Sequence, residues 1–512
     1  MGMSNEFSHA ENAASSIEPV TDVADYAPEE VLKEVMHLED PEWIADQKKY
    51  MWRLNSIILP AVSVLYFFSY LDRGNVANAK LYGFDRGHKT VYGGVGPGLQ
   101  SLTSPQWQLV VMIAYVGLVL FQVPGCIGYR VFPPSKWIAF GVCGWAVASV
   151  LQCVAFNLAG ELVCRIAVGA FEGLFGTGIV YYMSLWYHRS ELGVRVFWFL
   201  APTALAGAFG GLLAYGIGHI KSNVPVWKFL FLIEGIPCFC VGIFCLYWLP
   251  DRPMRNSRFS GRQQEIAVAR YHSEDFEKAG KIQRKHFIRV FIDWRLYIQA
   301  LIYVPTAALL ASISGFLPTI ISHLGYTAPT TANLMSVPPY ACAFVVMYIV
   351  SWLSDRYRLR GLPIIVLATI AGVMYALLGT LPESNLKGKY ACVCIAVACV
   401  YGTYPLTHAW ANNNLGNETK RSVGMGYYTA IGNLGSIAGT WLFPASDAPQ
   451  FRNGHLTCMA LSFATGLLTV LNVYLLWRSN RRRDRLYGKP APGVPVDLTE
   501  LADLAPHFRY FL

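Results

Sequence analysis

Residues 227–249 read WKFLFLIEGIPCFCVGIFCLYWL, an apolar run in which Lys228 and Glu234 are the charged side chains. A transmembrane helix needs about 20 mainly apolar residues to cross roughly 30 Å of hydrocarbon. The run meets that length, and membrane helices tolerate its Gly and Pro residues better than soluble helices do. This stretch therefore predicts a helix that spans a membrane.

The same kind of segment recurs along the whole chain. Of the 512 residues, 54% are hydrophobic and 14% are charged, whereas a soluble domain has about 25% charged residues. The mean hydropathy is +0.36. We predict an all-α membrane protein of twelve spans, at residues 55–79, 106–128, 136–156, 159–184, 195–219, 227–249, 296–322, 331–353, 362–381, 389–412, 422–443 and 456–478.

The basic residues set the expected orientation. Lys and Arg concentrate in alternate loops, in the central loop and after the last span, and they account for most of the net charge of +9. Cytoplasmic loops carry such an excess, so both termini are predicted to lie in the cytoplasm. The expected divisions are an acidic, disordered tail (1–50), a six-helix half (51–250), a cytoplasmic loop (251–295), a second six-helix half (296–480) and a basic cytoplasmic tail (481–512).

An internal echo suggests that the two halves are related. GCIGYR at 125–130 follows the second span, and SWLSDR at 351–356 follows the eighth, so that Tyr129 aligns with Asp355. Two pseudo-symmetric six-helix bundles are a known transporter plan, in which the substrate site lies between the halves near the middle of the membrane.

Other classes of function lack their sequence signals. The 12 cysteines lie mostly in apolar runs, without paired CxxC motifs at zinc spacing, and we predict no metal site and no cofactor. HExxH, G-x-S-x-G and P-loop motifs are absent from the sequence, which argues against an enzyme and against ATP as the energy source. The basic charge indicates membrane topology rather than nucleic-acid binding.

A few ionisable residues interrupt the apolar spans. A charged group at the bilayer centre costs about 2.5–3.5 kcal/mol on insertion scales. Arg73 is the strongest candidate for binding an anion, since its planar guanidinium matches a carboxylate and stays charged. Alternatively, these ions pair only with one another and fix the helix register. The residues are Asp72, Arg73, Arg165, Glu172 and Glu234.

Several stretches, in order and at transporter-like spacing, resemble the anion:cation symporters of the major facilitator superfamily, and most closely their fungal allantoate permease branch. The resemblance covers about residues 50–488. It rests on YLDRGNVANA (70–79), RIAVGAFEG (165–173), WKFLFLIEGIP (227–237), LPDRP (249–253), GFLPTII (315–321), PPY (338–340), NN (413–414) and TKR (419–421).

The resemblance implies the major facilitator fold and proton-coupled movement of a small organic anion. It implies that Arg73 and Arg165 contact the anion and that Asp72 and Glu172 exchange protons. Three positions depart from the family pattern. Asn417 stands where the family usually has Gly before TKR (419–421), a mild change because Asn also tolerates left-handed backbone geometry. Tyr129 stands where the superfamily has Asp, which alters a gating contact, and Gln122 stands where this branch often has Glu, which bears on proton coupling.

Further residues are candidates from their side-chain chemistry. Polar or aromatic groups within the spans suit the lining of a cavity, and Asp355 with Arg356 suits a cytoplasmic gate. His408 is expected to be a hydrogen-bonded structural residue. The candidate lining residues are Tyr115, Gln122, Tyr340, Trp410 and Asn413.

The leading hypothesis is a plasma-membrane importer of a small carboxylate, driven by the proton gradient. It is expected to act as a monomer, with its substrate, protons and membrane lipids as partners. An exporter of a secondary metabolite uses the same fold in the other direction. A non-transporting nutrient sensor is a third hypothesis, which the short tails and short central loop disfavour.

Overall fold

The computed structural model describes most of the chain. Residues 1–40 of the predicted acidic tail lie outside the described residues, and residues 41–50 form the first turns of the first helix. The described residues are 41–81, 84, 102–155, 157–176, 178–188, 191–217, 220, 222, 224–254, 258–259, 261–272, 284–324, 334–382, 385–416, 418–444, 447, 450–490 and 501–512.

The first half is helical throughout its described spans. Its fourth and fifth spans are each divided into two helices. The helices are α1 (Pro41–Leu81), α2 (Ser104–Val131), α3 (Pro134–Leu151), α4 (Leu158–Phe175), α5 (Gly178–Ser184), α6 (Leu192–Leu200), α7 (Pro202–Ile217) and α8 (Val226–Trp248).

Two short helices of the central loop lead to the second half. They are α9 (Arg262–His272) and α10 (Arg284–Val290). The spans that follow are α11 (Trp294–His323), α12 (Val337–Tyr357), α13 (Gly361–Thr380), α14 (Leu386–Asn413), α15 (Glu418–Gly439) and α16 (Arg452–Tyr487).

The predicted spans are confirmed as helices of membrane length. Eleven spans within the described residues are long and apolar enough to cross a bilayer. The remaining predicted span corresponds to α15, whose 22 residues suffice in length and whose sequence, ETKRSVGMGYYTAIGNLGSIAG, is more polar. We call the end of the bundle at which α1 begins the base, and the opposite end the top.

The helix contacts repeat between the two halves. In the first half α2 packs on α4, α1 on α7 and α3 on α8. In the second half the equivalent pairs are α12 with α14, α11 with α15 and α13 with α16. The halves meet through α2 against α15 and α12 against α6 and α7, and these two contacts are also equivalent to each other. The bundle is therefore pseudo-symmetric, as the echo between residues 125–130 and 351–356 predicts.

Small residues allow the tightest of these contacts. A Cβ at Gly169 of α4 would overlap the carbonyl group of Ala114 in α2. Between the halves, Gly426 of α15 lies against the backbone of Gln122 and Val123. Since lipid tails are as apolar as the side chains, close packing of this kind holds membrane helices together.

The predicted basic tail has two structured parts. Residues 481–487 continue α16, and residues 501–512, the C-terminal segment, dock on the base of the second half. Asp503 lies 2.5 Å from the Lys420 ammonium, which also pairs with Asp293 at 2.5 Å. Phe508 and Tyr510 pack with Trp410 in an apolar cluster. The segment thereby joins the base ends of α11, α14 and α15.

Candidate functional site

A small cavity lies between the halves, near the middle of the bundle. Its volume of about 30 Å³ is room for roughly two water molecules, so this conformation leaves no space for an organic substrate. Both halves contribute to its lining: Tyr66, Arg73, Leu118, Gln122, Glu172, Gly176, Val180, Phe199, Leu200, Tyr303, Tyr404, His408, Thr429 and Asn433.

Arg73 and Glu172 form an ion pair in the wall of this cavity. Arg73 Nε donates to Glu172 Oε2 at 2.9 Å. Ser69 donates to the other carboxylate oxygen at 2.8 Å, and the Arg73 guanidinium lies 4.8 Å from the centre of the Tyr70 ring. Side-chain exposures of 21% for Arg73 and 4% for Glu172 leave the cation as the partner that is more open to a ligand.

Arg165 lies on α4, the same helix as Glu172. It is 3% exposed, and its Nε has no hydrogen-bond partner among the described residues. A buried guanidinium group without a full set of acceptors favours an incoming anion. Arg165 is absent from the lining of the cavity described above.

Asp72 points away from that pair, as adjacent positions on a helix must. It accepts a hydrogen bond from Ser149 of α3, and Asn75, on the same face of α1, donates to Glu234 of α8. Asp72 and Glu234 are each 4% exposed. The ionisable residues of α1 thus divide between the cavity and a second polar region inside the first half.

Tyrosines dominate the rest of the cavity wall. The hydroxyls of Tyr66 and Tyr404 share a hydrogen bond of 2.7 Å across the two halves. The Tyr303 ring stacks against Tyr404 and Tyr428, with centroids 6.1 and 5.2 Å apart. His408 lies edge-on to these rings, and its Nδ1 is 3.1 Å from the Tyr404 carbonyl oxygen. His408 therefore has a hydrogen-bond partner, as expected from the sequence, and it also lines the cavity.

Two of the five predicted lining residues lie beside the site. Gln122 lines the cavity and is 3% exposed, and its Oε1 has no hydrogen-bond partner among the described residues. Tyr115 lines a smaller adjoining space with Arg73 and Asn433.

The other three lie elsewhere. Tyr340 packs over Gly207 where α12 meets α7. Trp410 donates to the carbonyl of Phe511 at 2.7 Å, at the base. Asn413 is fully buried near the end of α14. The sequence shows that these side chains lie in spans, but it does not show which level of the bundle they reach.

Of the two residues predicted to form the cytoplasmic gate, Asp355 makes a contact between the two halves. Its Oδ2 accepts the backbone N–H of Val194 at 2.6 Å, which joins the base ends of the two halves. The cation beside it is Arg360, whose Nη1 lies 2.6 Å from Asp355 Oδ1, whereas Arg356 is exposed. Tyr129, the residue equivalent to Asp355, donates to the Phe175 carbonyl at 2.8 Å within the first half.

Some residues of the site carry no signal in the sequence. Ser69, Tyr404 and Asn433 are ordinary span residues until the fold places them around Arg73. Glu161 is different, because it is an ionisable residue inside a predicted span. It lies near the start of α4, where a charge usually faces water, but here it is fully buried.

No group of three or more His, Cys, Asp or Glu side chains in the described part of the chain is placed to hold a metal ion. The cavity wall instead holds one cation, Arg73, paired with one internal carboxylate, Glu172. Such a pair can exchange its carboxylate for that of a ligand when the internal one takes up a proton.

Comparison with known proteins identifies relatives over most of the chain. The family model described as Major Facilitator Superfamily matches residues 62–440. The MFS transporter prlL of Fungal sp. (strain NRRL 50135) is 31% identical over 450 residues, which cover 86% of this chain and 88% of that protein. The major facilitator-type transporter hxnP of Emericella nidulans is 30% identical over 477 residues, or 91% and 93% of the two chains.

Solved structures show the same fold. The proton:xylose symporter XylE, bound to 6-bromo-6-deoxy-D-glucose, superposes with a TM-score of 0.64 at 14% identity over 86% of this chain and 98% of its own. The transporter FucP, in its outward conformation, gives a TM-score of 0.58 at 12% identity over 81% of this chain and 99% of its own.

Proposed function

Since the chain belongs to the Major Facilitator Superfamily of membrane transporters, we propose that it carries a small organic anion together with a proton. The observation that carries this proposal is the Arg73–Glu172 ion pair, which has a separation of 2.9 Å in the wall of the cavity between the halves. Vitamin acids and nitrogen-source acids are carboxylates of this class.

The pair supports coupling because one cation serves two anions. A substrate carboxylate and the Glu172 carboxylate compete for the Arg73 guanidinium. Protonation of Glu172 removes its charge and weakens its hold on Arg73, so that proton uptake favours substrate binding. By linkage, the substrate favours protonation to the same degree. Two ligands that promote each other's binding are what a symporter requires.

The remaining groups complete the site. Arg165 supplies a second positive charge on α4, the helix that carries Glu172, and Ser69 holds the Glu172 carboxylate in place at 2.8 Å. The tyrosines around the cavity offer ring faces and hydroxyls to the body of the substrate. Asp72 is the second proton-exchanging acid, since it is buried close to the Arg73–Glu172 pair but does not bond to it.

We place the base in the cytoplasm of a fungal cell, with the carrier in the plasma membrane and active as a monomer. Basic residues at the base, among them Arg130, Arg252 and Arg360, support this orientation. The base-to-top direction is then inside to outside, and uptake follows an inward proton gradient.

Purified protein in proteoliposomes tests the proposal. Labelled acetate, lactate, nicotinate and benzoate are offered with an inward proton gradient, without a gradient and with a protonophore. At least one is expected to accumulate in response to the gradient. Arg73→Gln should lower its uptake at least tenfold, while Arg452→Gln, a control at an exposed arginine, should not change it. Normal uptake by Arg73→Gln would refute the role of Arg73 in substrate binding. Accumulation driven by an outward proton gradient instead would show that the protein exports its substrate.

A further inference from the structure

A second polar region lies inside the first half, separate from the lining of the cavity. It gathers side chains from α1, α3, α4, α8 and the short helical turn that follows α3. All are at most 4% exposed. They are Asp72, Asn75, Ser149, Gln152, Glu161 and Glu234.

Glu161 is the unusual member of this region. It is fully buried, and neither carboxylate oxygen has a hydrogen-bond partner among the described residues. An ionised carboxylate in that state costs far more free energy than a protonated one. Gln152 Oε1 and Arg165 Nε, both buried, also lack hydrogen-bond partners among the described residues. The region therefore holds polar groups that the packing of the helices does not account for.

The surroundings of Glu161 connect it to the transport site. The charges of Arg165, one turn along α4, and of Asp72 act on it. Cys164 on the same helix and Cys153 are the neutral titratable groups near it, with Lys228 of α8 beside Cys153. Asp72 in turn lies within electrostatic reach of Glu172, Arg73, Glu234 and Cys238.

The acids are also ordered along the bundle. Glu161 lies three residues after the start of α4 at the top. Glu172, eleven positions further along the sequence, is about 16 Å deeper at 1.5 Å of rise per residue. Asp72 lies in the polar region with Glu161, where Ser149 donates to it, and it directly precedes Arg73, the partner of Glu172. Its Oδ2 has no hydrogen-bond partner among the described residues.

We propose that Glu161 and Asp72 form the route by which a proton from the top of the bundle reaches Glu172, behind the path that the substrate takes. The proton leaves the Glu161 carboxyl as its O–H bond breaks, and a new O–H bond forms on Asp72. A second transfer moves it from Asp72 to Glu172, which releases Arg73. Water at the top returns a proton to Glu161, so atoms and charges balance. This inference rests on the proposed proton-coupled transport.

Two readouts separate the route from a structural role. Net uptake driven by a proton gradient needs protons to arrive, whereas exchange of labelled for unlabelled substrate without a gradient needs only the substrate site. The probe is whichever of the four carboxylates gives the fastest wild-type uptake. Glu161→Gln should reduce net uptake at least tenfold and keep exchange within twofold of wild type. Glu265→Gln, at an exposed acid of α9, should change neither.

Several results would exclude the proton route through Glu161. Unchanged net uptake in Glu161→Gln, or an equal loss of net uptake and exchange, would give Glu161 a structural role only. If Glu161→Gln does not fold, Glu161→Asp serves instead. A shorter acid should move the midpoint of the pH profile of net uptake, and an identical profile would exclude the route. If wild-type uptake ignores the gradient while exchange proceeds, the proposed coupling itself fails, whatever Glu161 does.

Discussion

Glu172 acts as an internal ligand of Arg73. The sequence predicts both residues as functional candidates, because an ionised side chain in an apolar span costs free energy and is therefore rare without a role. It could not show that they bond to each other rather than to Asp72 or Arg165, since that depends on how α1 and α4 rotate when they pack. The sequence does not reveal the burial of Glu161 either, because a charged residue near a helix end usually reaches water.

Glu172→Gln should uncouple transport from protons. The amide imitates the neutral acid, so Arg73 remains available to an anion at every pH. We expect exchange of a carboxylate to persist, net uptake to lose its response to a proton gradient, and the affinity for the anion to lose its dependence on pH. Isothermal titration of purified protein with the best carboxylate, together with vesicle uptake, measures all three.

Ser69→Ala is the matched control for that variant. It removes one hydrogen bond to the Glu172 carboxylate at 2.8 Å, worth about 0.5–1.5 kcal/mol, but it leaves the acid able to titrate. Gradient-driven uptake should survive in Ser69→Ala. Intact proton dependence in Glu172→Gln would move the coupling role to another acid.

At the scale of the elements, the C-terminal segment ties several helices of the second half together. Asn480 and Tyr510 exchange two hydrogen bonds of 2.9 Å, and Asn414 accepts the Phe511 N–H at 2.8 Å. The sequence predicted only a basic tail here. Composition identifies apolar spans, but the docking of Phe508 and Tyr510 depends on a cleft that exists only after α14 and α16 have packed on α13.

Asp503→Asn should destabilise the protein by about 1–3 kcal/mol, because a buried charged partner of Lys420 is lost while Asp293 remains. Thermal unfolding in detergent measures the effect. The control is Asp46→Asn, whose pair with Lys49 is at the surface at 3.5 Å and contributes about 0–1 kcal/mol. An unchanged unfolding temperature in Asp503→Asn would show that the pair does not stabilise the fold.

The same pair has a defined pH dependence. Burial would raise the pKa of Asp503, but the charges of Lys420 and Arg295 outweigh it and hold that pKa below its usual value. A depressed folded pKa gives stability that is present above the unfolded pKa, about 3.9, and is lost as the pH falls through the folded value. The difference between wild type and Asp503→Asn should therefore stay constant from pH 8 to pH 5. A stability difference that vanishes by pH 5 would contradict the lowered pKa of Asp503.

At the scale of the whole molecule, the two six-helix halves close around a cavity too small for an organic anion. Transport then requires the halves to separate, first at one end and next at the other. The twelve-span, two-half plan followed from the sequence, because length, hydropathy and the internal echo are properties of composition and order. The conformation did not, since it depends on contacts such as Asp355 with Val194.

Asp355→Ala should loosen the base. The N–H of Val194 loses an acceptor at 2.6 Å, and a hydrogen bond to a charged group contributes about 1.5–3 kcal/mol, which is roughly tenfold or more in an opening equilibrium. Hydrogen–deuterium exchange of residues 192–200 should accelerate by that factor. Asp251→Ala, which removes the acceptor of the Ser135 N–H within one half, should leave those residues protected. Equal protection in both variants would exclude Asp355 from the closure.

The pairing of Arg73 with Glu172 also has an electrical consequence. The site has a net charge of zero when the Glu172 carboxylate pairs with Arg73. Its net charge is also zero when Glu172 is protonated and a monocarboxylate pairs with Arg73 instead. Movement of the halves then carries equal charge across the membrane field in either direction of the cycle. A voltage of 100 mV, which does about 2.3 kcal/mol of work on each unit charge, performs none on this pair. Uptake of a monocarboxylate with one proton should be electrically silent, with the pH difference as its entire driving force.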